Sequence, residues 1–438
     1  MGKLAITAGN PVRTRPFAPW PVFDRKEERA IQQVLKSRNW GGYPFPNKHA
    51  SAFSQRFAEY HGARYGLAVT NGTIALEVAL KAGGLQPGDE VIVPAYTWEG
   101  TVSPVLKLNA VPVFVDIDPS TYCLDAGLIE KAITNKTRAI LPVHLAMRFA
   151  DLDAIGRLAR HHHLLLIEDC AHAHGGQWKK KGAGATGDMG CFSFQSSKLM
   201  TAGEGGAVIT SKLELLERAQ SYVNCGRASE TDKFAHRIVG FNYRMTEFQA
   251  AILEVQLGRL AQQASVRQRN MEYFEKRIGE TPGLALLKRD RRITRVAAYQ
   301  YVFKFLPEHF EGIGRASFLG ALETEGIPCD GLFYEPVYKS ALFPLKAGEY
   351  PALSWGRETP IDLRSLYNCP VAERAAYEES VWLPHHIFLG SRKDVDDIAD
   401  GVLKVCENIE ELRGLKHPAI ERKQMSRAER PRVEKRQY

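Results

Sequence analysis

The segment DLDAIGRLARHHHLLLIED, residues 151–169, joins an amphipathic helical pattern to an almost purely aliphatic run. Residues 151–162 predict a helix, and residues 163–169 predict a strand that is buried on both faces. The same alternation of strands and helices extends over residues 61–212. Continuously apolar strands separated by helices are typical of a mainly parallel sheet that helices cover on both sides. The sequence therefore predicts an α/β fold.

The other strands of this sheet are predicted at regular intervals along the chain. They lie at residues 65–70, 89–96, 111–117, 138–145, 190–195 and 205–211, and a further helix is predicted at 73–83. In parallel sheets, ligands bind beyond the carboxyl ends of the strands. The polar residues that follow these strands are therefore the first candidates for a functional site.

A long helical pattern at residues 245–278 leads into a second, smaller α/β unit. Its strands are predicted near 298–305 and 327–333, and its helices near 316–325 and 392–412. We therefore expect a large domain with an N-terminal arm over residues 1–265, a small C-terminal domain over 266–412 and a basic, disordered tail over 413–438.

The charge of the chain is concentrated in this tail. Of the net charge of +8, nine Lys or Arg and three Asp or Glu from Arg413 onward contribute +6, which leaves +2 for residues 1–412. A basic tail can contact nucleic acid or an acidic protein, but a tail with so few large apolar residues is also typical of a solvated, disordered segment. We expect the second, and we therefore predict no nucleic-acid binding.

The composition, 44% hydrophobic and 25% charged, is that of an ordinary globular protein. No run of about 18 uncharged apolar residues occurs, and residues 1–17 lack the apolar core of a signal peptide, so we expect a cytoplasmic protein without a membrane segment. The seven cysteines include no CxxC pair, which favours reduced thiols over disulfides or a zinc site. We expect no bound metal.

The first candidate site is the TNGT segment, residues 70–73, between a predicted strand and a predicted helix. Gly72 permits a tight turn there. The free amides at the start of the helix, those of Gly72 and Thr73 among them, attract an anion such as a phosphate group. Taken alone, the segment equally fits an ordinary helix cap.

Two acids, Glu168 and Asp169, end the aliphatic strand of the opening segment. A carboxylate at such a place either caps the following turn or stays buried against a cationic partner, because an unpaired buried charge is costly. Cys170, His172 and His174 follow at once. They lack the paired spacing of a zinc site, so we do not expect them to hold a metal.

An aromatic residue and a lysine complete the set of strand-end candidates. Trp98 is either a core residue or a flat stacking surface. Lys198 either extends its ammonium group into solvent or, if desolvated, has a lowered pKa and forms a Schiff base. A phosphate cup, a buried carboxylate, an aromatic plate and a reactive lysine have one common explanation, pyridoxal 5′-phosphate (PLP). Lys198 would take the aldehyde, Asp169 would keep the pyridine nitrogen protonated, and Ser193 would join the TNGT segment at the phosphate.

Eight motifs along the chain resemble, in order, those of the DegT/DnrJ/EryC1 family of fold-type-I, PLP-dependent aminotransferases. They are TNGTIAL, GDEVIVPAYTW, VFVDIDPSTYCLD, AILPVHL, DLDAI, LIEDCAHAHG, GCFSFQSSKLMTAGEGGAV and GFNYRMTEFQAAIL, and the resemblance covers roughly residues 18–400. The resemblance implies a mainly parallel central sheet between helices, with a smaller C-terminal α/β domain. It also implies PLP as a cofactor that cycles through pyridoxamine phosphate.

The resemblance further assigns roles to residues at matching positions. Lys198 stands at the internal-aldimine position, Asp169 faces the pyridine nitrogen and His172 lies beside the ring hydroxyl, which makes these three the expected catalytic residues. The expected cofactor contacts are Gly72, Thr73, Trp98, Asp169, His172, Ser193, Lys198 and Asn242. Asn242 matches a residue that reaches the phosphate of the neighbouring subunit, which implies a homodimer with shared active sites.

Within the family, the segments TYCLD, AHAHG and VWLPHH resemble a branch that contains scyllo-inosose aminotransferases and 3-amino-5-hydroxybenzoate synthases. We therefore expect amino transfer from glutamine or glutamate to a keto-cyclitol or keto-sugar. A dehydrating, aromatising enzyme of the benzoate-synthase type and a nucleotide-sugar aminotransferase stay open as alternatives. Tyr338, where many sugar aminotransferases carry His, argues against the second of these. The expected contacts with the keto substrate are Arg227, Tyr334, His385 and His386.

Overall fold

Residues 2–42, 46–227, 235–341, 343, 349–355 and 362–425 are described by a computed structural model of the chain. The strands are β1 (Tyr65–Val69), β2 (Glu90–Pro94), β3 (Val111–Val115), β4 (Thr137–Ile140), β5 (Leu165–Asp169), β6 (Gln177–Trp178), β7 (Lys181–Gly182), β8 (Met189–Ser193), β9 (Gly206–Thr210), β10 (Leu284–Leu286), β11 (Ile293–Arg295), β12 (Gln300–Phe305) and β13 (Ser380–Pro384). The α-helices are α1 (Arg25–Ser37), α2 (Lys48–His61), α3 (Gly72–Ala82), α4 (Ser103–Lys107), α5 (Ala126–Ala132), α6 (Leu152–His161), α7 (Leu213–Val223), α8 (Glu247–Ile278), α9 (Arg315–Thr324), α10 (Leu363–Leu366), α11 (Pro370–Arg374), α12 (Arg392–Glu407) and α13 (Pro418–Gln424).

A seven-stranded sheet, in the order β1-β9-β8-β5-β4-β2-β3, forms the centre of the large domain. Strand β9 runs antiparallel to its neighbours β1 and β8, and the remaining pairs of this sheet are parallel. The predicted mainly parallel sheet is therefore confirmed.

The opening segment of the sequence shows how local signals build this sheet. Asp151 caps α6, because its Oδ1 accepts hydrogen bonds from the amides of Asp153 and Ala154 at 3.1 and 3.0 Å. The apolar residues that follow form β5, which pairs in parallel with β4 on one side and β8 on the other. The strand is central, which explains why it is apolar up to the two acids, Glu168 and Asp169, at its carboxyl end.

Both faces of the sheet are covered. In β9, Val208 belongs to the core on the side of α3, whereas Ala207 and Ile209 belong to the core on the side of α2 and α8. Successive strand residues point to opposite faces, so this division follows the pleat of the strand. The sheet thus lies between two helical layers, as predicted.

The small domain is built on a three-stranded antiparallel sheet in the order β10-β12-β13. The strand predicted near residues 327–333 is wrong: in that stretch only Asp330 pairs, through a single bridge to Trp382 in β13. Helix α8 runs unbroken across the boundary expected at residues 265 and 266. That boundary stays a prediction.

The N-terminal arm packs against the small domain. The amide of Ala5 donates to Glu325 Oε1 at 2.8 Å, just past α9. The guanidinium of Arg13 binds Asp394 and Asp397 of α12 at 2.9 and 2.7 Å. The arm therefore ties the start of the chain to its last third.

The prediction of a disordered tail is wrong for residues 413–425. Helix α13 forms there, and Ile420 is buried against α9 at Gly320, where the absence of a side chain leaves room for it. Residues 426–438 lie outside the described residues. Across the described part of the chain, no helix combines the length and apolarity needed to cross a membrane.

Candidate active site

A cavity of about 660 Å³ opens at the carboxyl edge of the central sheet. Because β1, β2, β5 and β8 are parallel, the segments that follow them meet at this edge. The predicted site residues that line the cavity are Gly72, Thr73, Trp98, Asp169, His172, Ser193, Lys198 and Tyr334. The fold therefore brings most of the predicted site together in one place.

One end of the cavity is a cup at the start of α3. The side chain of Asn71 caps this helix by accepting from the amide of Ile74 at 2.9 Å. A Cβ atom at Gly72 would lie only 2.6 Å from the Cβ of Ser193, so the helix start and the end of β8 approach as closely as glycine allows. The first amides of the helix and the Ser193 hydroxyl form a cradle that suits an anion such as phosphate.

The carboxylate of Asp169 lies deeper in the cavity and is buried. Its Oδ2 accepts from the hydroxyl of Thr101 at 2.9 Å, and its Oδ1 accepts from the amide of Ala171 at 3.1 Å. Burial raises the pKa of this carboxyl group above its ordinary value, although both hydrogen bonds oppose that effect. Such a carboxylate is suited to bind a protonated ring nitrogen.

Glu168, which precedes Asp169 in the chain, has a structural role instead. Its carboxylate is fully buried and accepts from the amides of Gly184, Thr186 and Gly187, and it binds His144 Nε2 at 2.9 Å. Burial alone would raise the pKa of Glu168, but these hydrogen bonds outweigh it and lower the pKa. Glu168 therefore stabilises the turn before β8, and Asp169 is the acid of the pair that lines the cavity.

His172 is buried on the wall of the cavity. The amide of Ala146 donates to its Nδ1 at 3.2 Å, so the ring proton belongs on Nε2, which lies 3.0 Å from the hydroxyl of Tyr334. The ring also stacks on Tyr299, with 4.1 Å between ring centres. Burial and the charge of Lys198 hold the pKa of His172 well below its ordinary value, so this histidine is neutral.

Lys198 is half-buried, and its Nζ lies 4.3 Å from the centre of the Tyr299 ring. Two hydrogen bonds from other segments hold the loop that carries it. Trp20 Nε1 donates to the carbonyl of Ser196, and His385 Nε2 donates to the carbonyl of Ser197, both at 3.1 Å. The lysine is therefore held at the cavity by a restrained loop.

Trp98 is not a core residue, because its side chain is 45% exposed at the mouth of the cavity. The indole lies over the turn at Gly100, where an added Cβ would fall 2.6 Å from Trp98 Cδ1. Its ring centre is 6.2 Å from that of Tyr334. The indole therefore lies on the wall of the cavity, near Tyr334.

Three expected substrate contacts do not line the cavity. His385 is buried behind the lysine loop, and burial holds its pKa well below the ordinary value. His386 lies next to it, and burial lowers its pKa to about 4. The Arg227 guanidinium instead donates to Asn224, at 3.3 Å. Of the four expected substrate contacts, Tyr334 is the one that lines the cavity.

Asn242 also lies outside the cavity of its own chain. It is exposed, and its backbone bridges to Asn224. Its predicted contact with a neighbouring subunit stays a prediction. Tyr338 is buried and donates to Glu373 at 2.5 Å, away from the cavity, so it does not discriminate between substrates by direct contact.

The sequence missed several residues that line the cavity. They are Thr101, Gln195, Ser197, Glu204, Tyr299, Asp330 and Phe333, among others. Thr101 had a usable signal, since it follows Thr97 by one helical turn in a strand-end segment, and the two hydroxyls lie 2.9 Å apart. Asp330 and Phe333 had none, because they come from the small domain, far along the chain.

The chain is similar to several known aminotransferases. A protein of Streptoalloteichus tenebrarius named for L-glutamine:3-amino-2,3-dideoxy-scyllo-inosose aminotransferase activity is 44% identical, over 94% of this chain and 99% of its own. The L-glutamine:2-deoxy-scyllo-inosose aminotransferase of the same organism is 37% identical, over 94% and 99%.

A crystal structure of 3-amino-5-hydroxybenzoic acid synthase superposes with a TM-score of 0.80 at 32% identity, covering 92% of this chain and 100% of that one. This likeness confirms the fold-type-I aminotransferase architecture. Residues 21–403 match the profile of the DegT/DnrJ/EryC1/StrS aminotransferase family. With its strand-end motifs gathered around one cavity and relatives aligned along nearly its whole length, the chain belongs to this aminotransferase family.

Proposed function

We propose that the protein is a PLP-dependent aminotransferase that transfers the α-amino group of glutamine to a keto-cyclitol. The observation that carries the proposal is the single cavity in which Lys198, Asp169 and the helix cup meet. The two relatives from Streptoalloteichus tenebrarius support the choice of donor and acceptor, because both are named for glutamine and for a scyllo-inosose ketone.

The cavity fits PLP by its own chemistry. The close approach of Gly72 and Ser193 leaves an anion cradle at one end, and a buried carboxylate, Asp169, stands where a ring nitrogen can be kept protonated. When bound, the cofactor supplies a carbonyl carbon that exchanges with the Lys198 amine and a ring that withdraws electrons from the reacting carbon.

The residues of the chain divide the remaining work. The amides of Gly72 and Thr73 and the hydroxyl of Ser193 hold the phosphate. Thr101 orients the Asp169 carboxylate by donating to Oδ2. Lys198 Nζ removes the proton from Cα of glutamine. In the second half of the cycle, it delivers a proton to the cyclitol carbon that receives the amino group.

The overall reaction balances between the two substrates. The α-carbon of glutamine is oxidised from an amine to a ketone, and the carbonyl carbon of the cyclitol is reduced to an amine. The amino group and the ketone oxygen change places, with water as the carrier of the oxygen. No other oxidant or reductant is required.

The proposal includes a homodimer with shared active sites. Among the described residues that line the cavity, no arginine is present to bind the carboxylate of the donor. The segment around Asn242 carries exposed Arg237 beside exposed Ile238, Val239 (82% exposed) and Phe241. A second protomer that covers this apolar segment would bring both a cation and Asn242 to its partner's cavity.

An isotope experiment tests the function. Protein reconstituted with PLP is incubated with glutamine labelled with ¹⁵N at the α-amino group, together with 2-deoxy-scyllo-inosose, its 3-amino-3-deoxy analogue or a nucleotide-linked keto-sugar. We expect labelled aminocyclitol by mass spectrometry. An unlabelled aromatic product formed with loss of water would favour the benzoate-synthase chemistry instead, and preferred labelling of the nucleotide-linked sugar would overturn the acceptor class.

A lysine variant tests the mechanism. Lys198→Ala should bind PLP through the cup and Asp169 but lower turnover by about 10²- to 10⁴-fold, because proton transfer loses its agent. Lys131→Ala, an exposed lysine on α5, is the matched control and should match the wild type. Near-normal turnover of Lys198→Ala would rule out its catalytic role.

A further inference from the structure

Helix α8 carries a buried arginine, Arg267, that has no counter-charge. Its side chain is 1% exposed, and none of its three nitrogen atoms donates a hydrogen bond to any residue that the structure describes. Burial lowers its pKa to about 9, so the guanidinium stays charged near neutral pH. An unpaired buried charge destabilises a fold. Stability alone therefore does not account for an arginine at this position.

The guanidinium of Arg267 contacts an aromatic ring instead of an acid. Its carbon atom lies 5.1 Å from the centre of the half-buried Trp20 ring, within the range of a cation–π interaction. The Trp20 ring packs edge to face against His385, with 4.6 Å between the ring centres and 85° between the ring planes. Helix α8, the N-terminal arm and the segment after β13 thus each contribute one member of this stack.

Both rings of the stack hold the loop of Lys198. Trp20 Nε1 donates to the carbonyl of Ser196, and His385 Nε2 donates to the carbonyl of Ser197. These two residues directly precede Lys198 in the chain. The main chain in front of Lys198 is therefore fixed by the orientation of two rings, and the Arg267 guanidinium packs over one of them.

The charge of Arg267 also acts on His385. Burial first, and then the charge of Arg267, hold the pKa of His385 well below its ordinary value. A neutral histidine has one N–H group, and His385 uses it at Nε2 for the carbonyl of Ser197, while its Nδ1 has no hydrogen-bond partner among the described residues. Arg267 thus disfavours a second buried charge beside Trp20.

We propose that Arg267 is a positioning residue: through Trp20 and His385, its buried guanidinium fixes residues 195–198, the loop that presents Lys198 to the cavity. The use made of Lys198 rests on the proposed aminotransferase function, whereas the contacts do not. A group that transfers a proton must be held accurately, because a displacement of about 1 Å can lower a rate about 100-fold. The unpaired charge of Arg267 lowers stability, and in return the loop has a fixed position.

The first test is made on the apoprotein, with the variant Arg267→Met. Loss of an unpaired buried charge should leave the midpoint of thermal unfolding at or above the wild-type value. Hydrogen exchange, followed by mass spectrometry, should become about 2- to 30-fold faster in the peptide that contains residues 195–198, the factor that corresponds to a cation–π interaction of ordinary strength. Exchange in the rest of the central sheet should not change.

The second test is made on the protein reconstituted with PLP. The rate of the half-reaction with glutamine, followed by the absorbance of the bound cofactor, should fall about tenfold or more in Arg267→Met. The KM for glutamine should not change, because the substitution removes no residue that lines the cavity. Trp20→Phe keeps an aromatic ring beside Arg267 but loses the donor to Ser196, so it should show the same faster exchange and the same slower half-reaction.

Arg269→Met is the matched control. Arg269 lies on the same helix and is exposed, so its replacement should leave exchange and rate at the wild-type values. Equal effects in Arg269→Met and Arg267→Met would overturn the proposal. A less stable or unfolded Arg267→Met, with faster exchange throughout the protein, would show that Arg267 only supports the fold and would overturn it as well.

Unchanged exchange of residues 195–198 in Trp20→Phe would also overturn the proposal, whether or not Arg267→Met folds. The failures of the two proposals are distinguishable. If the wild type does not react with glutamine, the proposed function fails, and the exchange measurements still decide the inference about Arg267. If the wild type reacts and Arg267→Met has normal exchange and a normal rate, only the inference about Arg267 fails.

Discussion

The substitution Gly72→Ala tests the anion cup most directly. The added methyl group would lie 2.6 Å from the Cβ of Ser193 and 3.1 Å from its Cα and Oγ. Carbon atoms in favourable contact are about 3.5–4.0 Å apart, so the start of α3 and the end of β8 must separate by about 1 Å. Ser193 lies in a central strand of the sheet, and the helix start is the part that will move.

The size of the effect follows from this overlap. Overpacking of this kind costs about 1–3 kcal/mol, and if the cup must close again on the phosphate, PLP affinity should fall by about 5- to 150-fold. The assay is a titration of apoprotein with PLP, read by absorbance, together with thermal unfolding of the apoprotein.

Gly258→Ala in α8 is the control for this substitution. The position is exposed and has no atom within 4 Å of an added Cβ, so alanine should stabilise the helix by up to about 1 kcal/mol and leave PLP binding unchanged. Wild-type PLP affinity in Gly72→Ala would refute the placement of the phosphate between α3 and Ser193. Equal losses of PLP affinity in Gly72→Ala and Gly258→Ala would point to a general effect of alanine on the fold.

Two further predictions concern stability. Ile420→Ala should lower the free energy of unfolding by about 2–4 kcal/mol, measured by urea denaturation, because the side chain is 2% exposed; an unchanged midpoint would contradict the packing of α13. Burial lowers the pKa of His61 to about 4 from 6.5. Between these pH values the unfolded chain therefore binds more protons than the folded chain. The free energy of unfolding should rise with pH across this window and level off above it. His61→Gln should remove about 3 kcal/mol of this pH dependence, and an unaltered slope would show that other groups cause it.

The central sheet could be predicted because its signals are local. The strands are short, mainly apolar runs, and three of the helices between them carry a side-chain cap of their own: Asn71 caps α3, Asp125 caps α5 and Asp151 caps α6. The predicted strand at 327–333 failed for a non-local reason. A strand needs a neighbouring backbone along its whole length, and only Asp330 meets β13. An apolar pattern does not reveal whether such a neighbour is present.

The prediction of a disordered tail was wrong for a related reason. Its charge and its lack of large apolar residues are typical of disorder. Yet one isoleucine, Ile420, meets the bare backbone of Gly320 in α9, and Arg422 pairs with Glu323 on the same helix. The surface that orders this segment lies about a hundred positions earlier in the chain. Composition describes what a segment contains, whereas order depends on what it contacts.

The candidate site also has one part that local sequence patterns predict and another that depends on contacts with distant segments. The groups assigned to the cofactor follow individual strands, and a parallel sheet must bring strand ends to one edge, so the sequence alone locates Gly72, Asp169 and Lys198. The part of the cavity that the proposed function leaves for the acceptor is lined by Asp330 and Tyr334, where this segment returns to the central sheet. That return depends on backbone pairing of Asp330 with β13 and on the single bridge between Tyr96 and Pro336, and neither leaves a local pattern. In the proposed function, the part of the cavity that is left for the acceptor is therefore built from segments that lie far apart in the chain, and a local sequence pattern does not record such contacts.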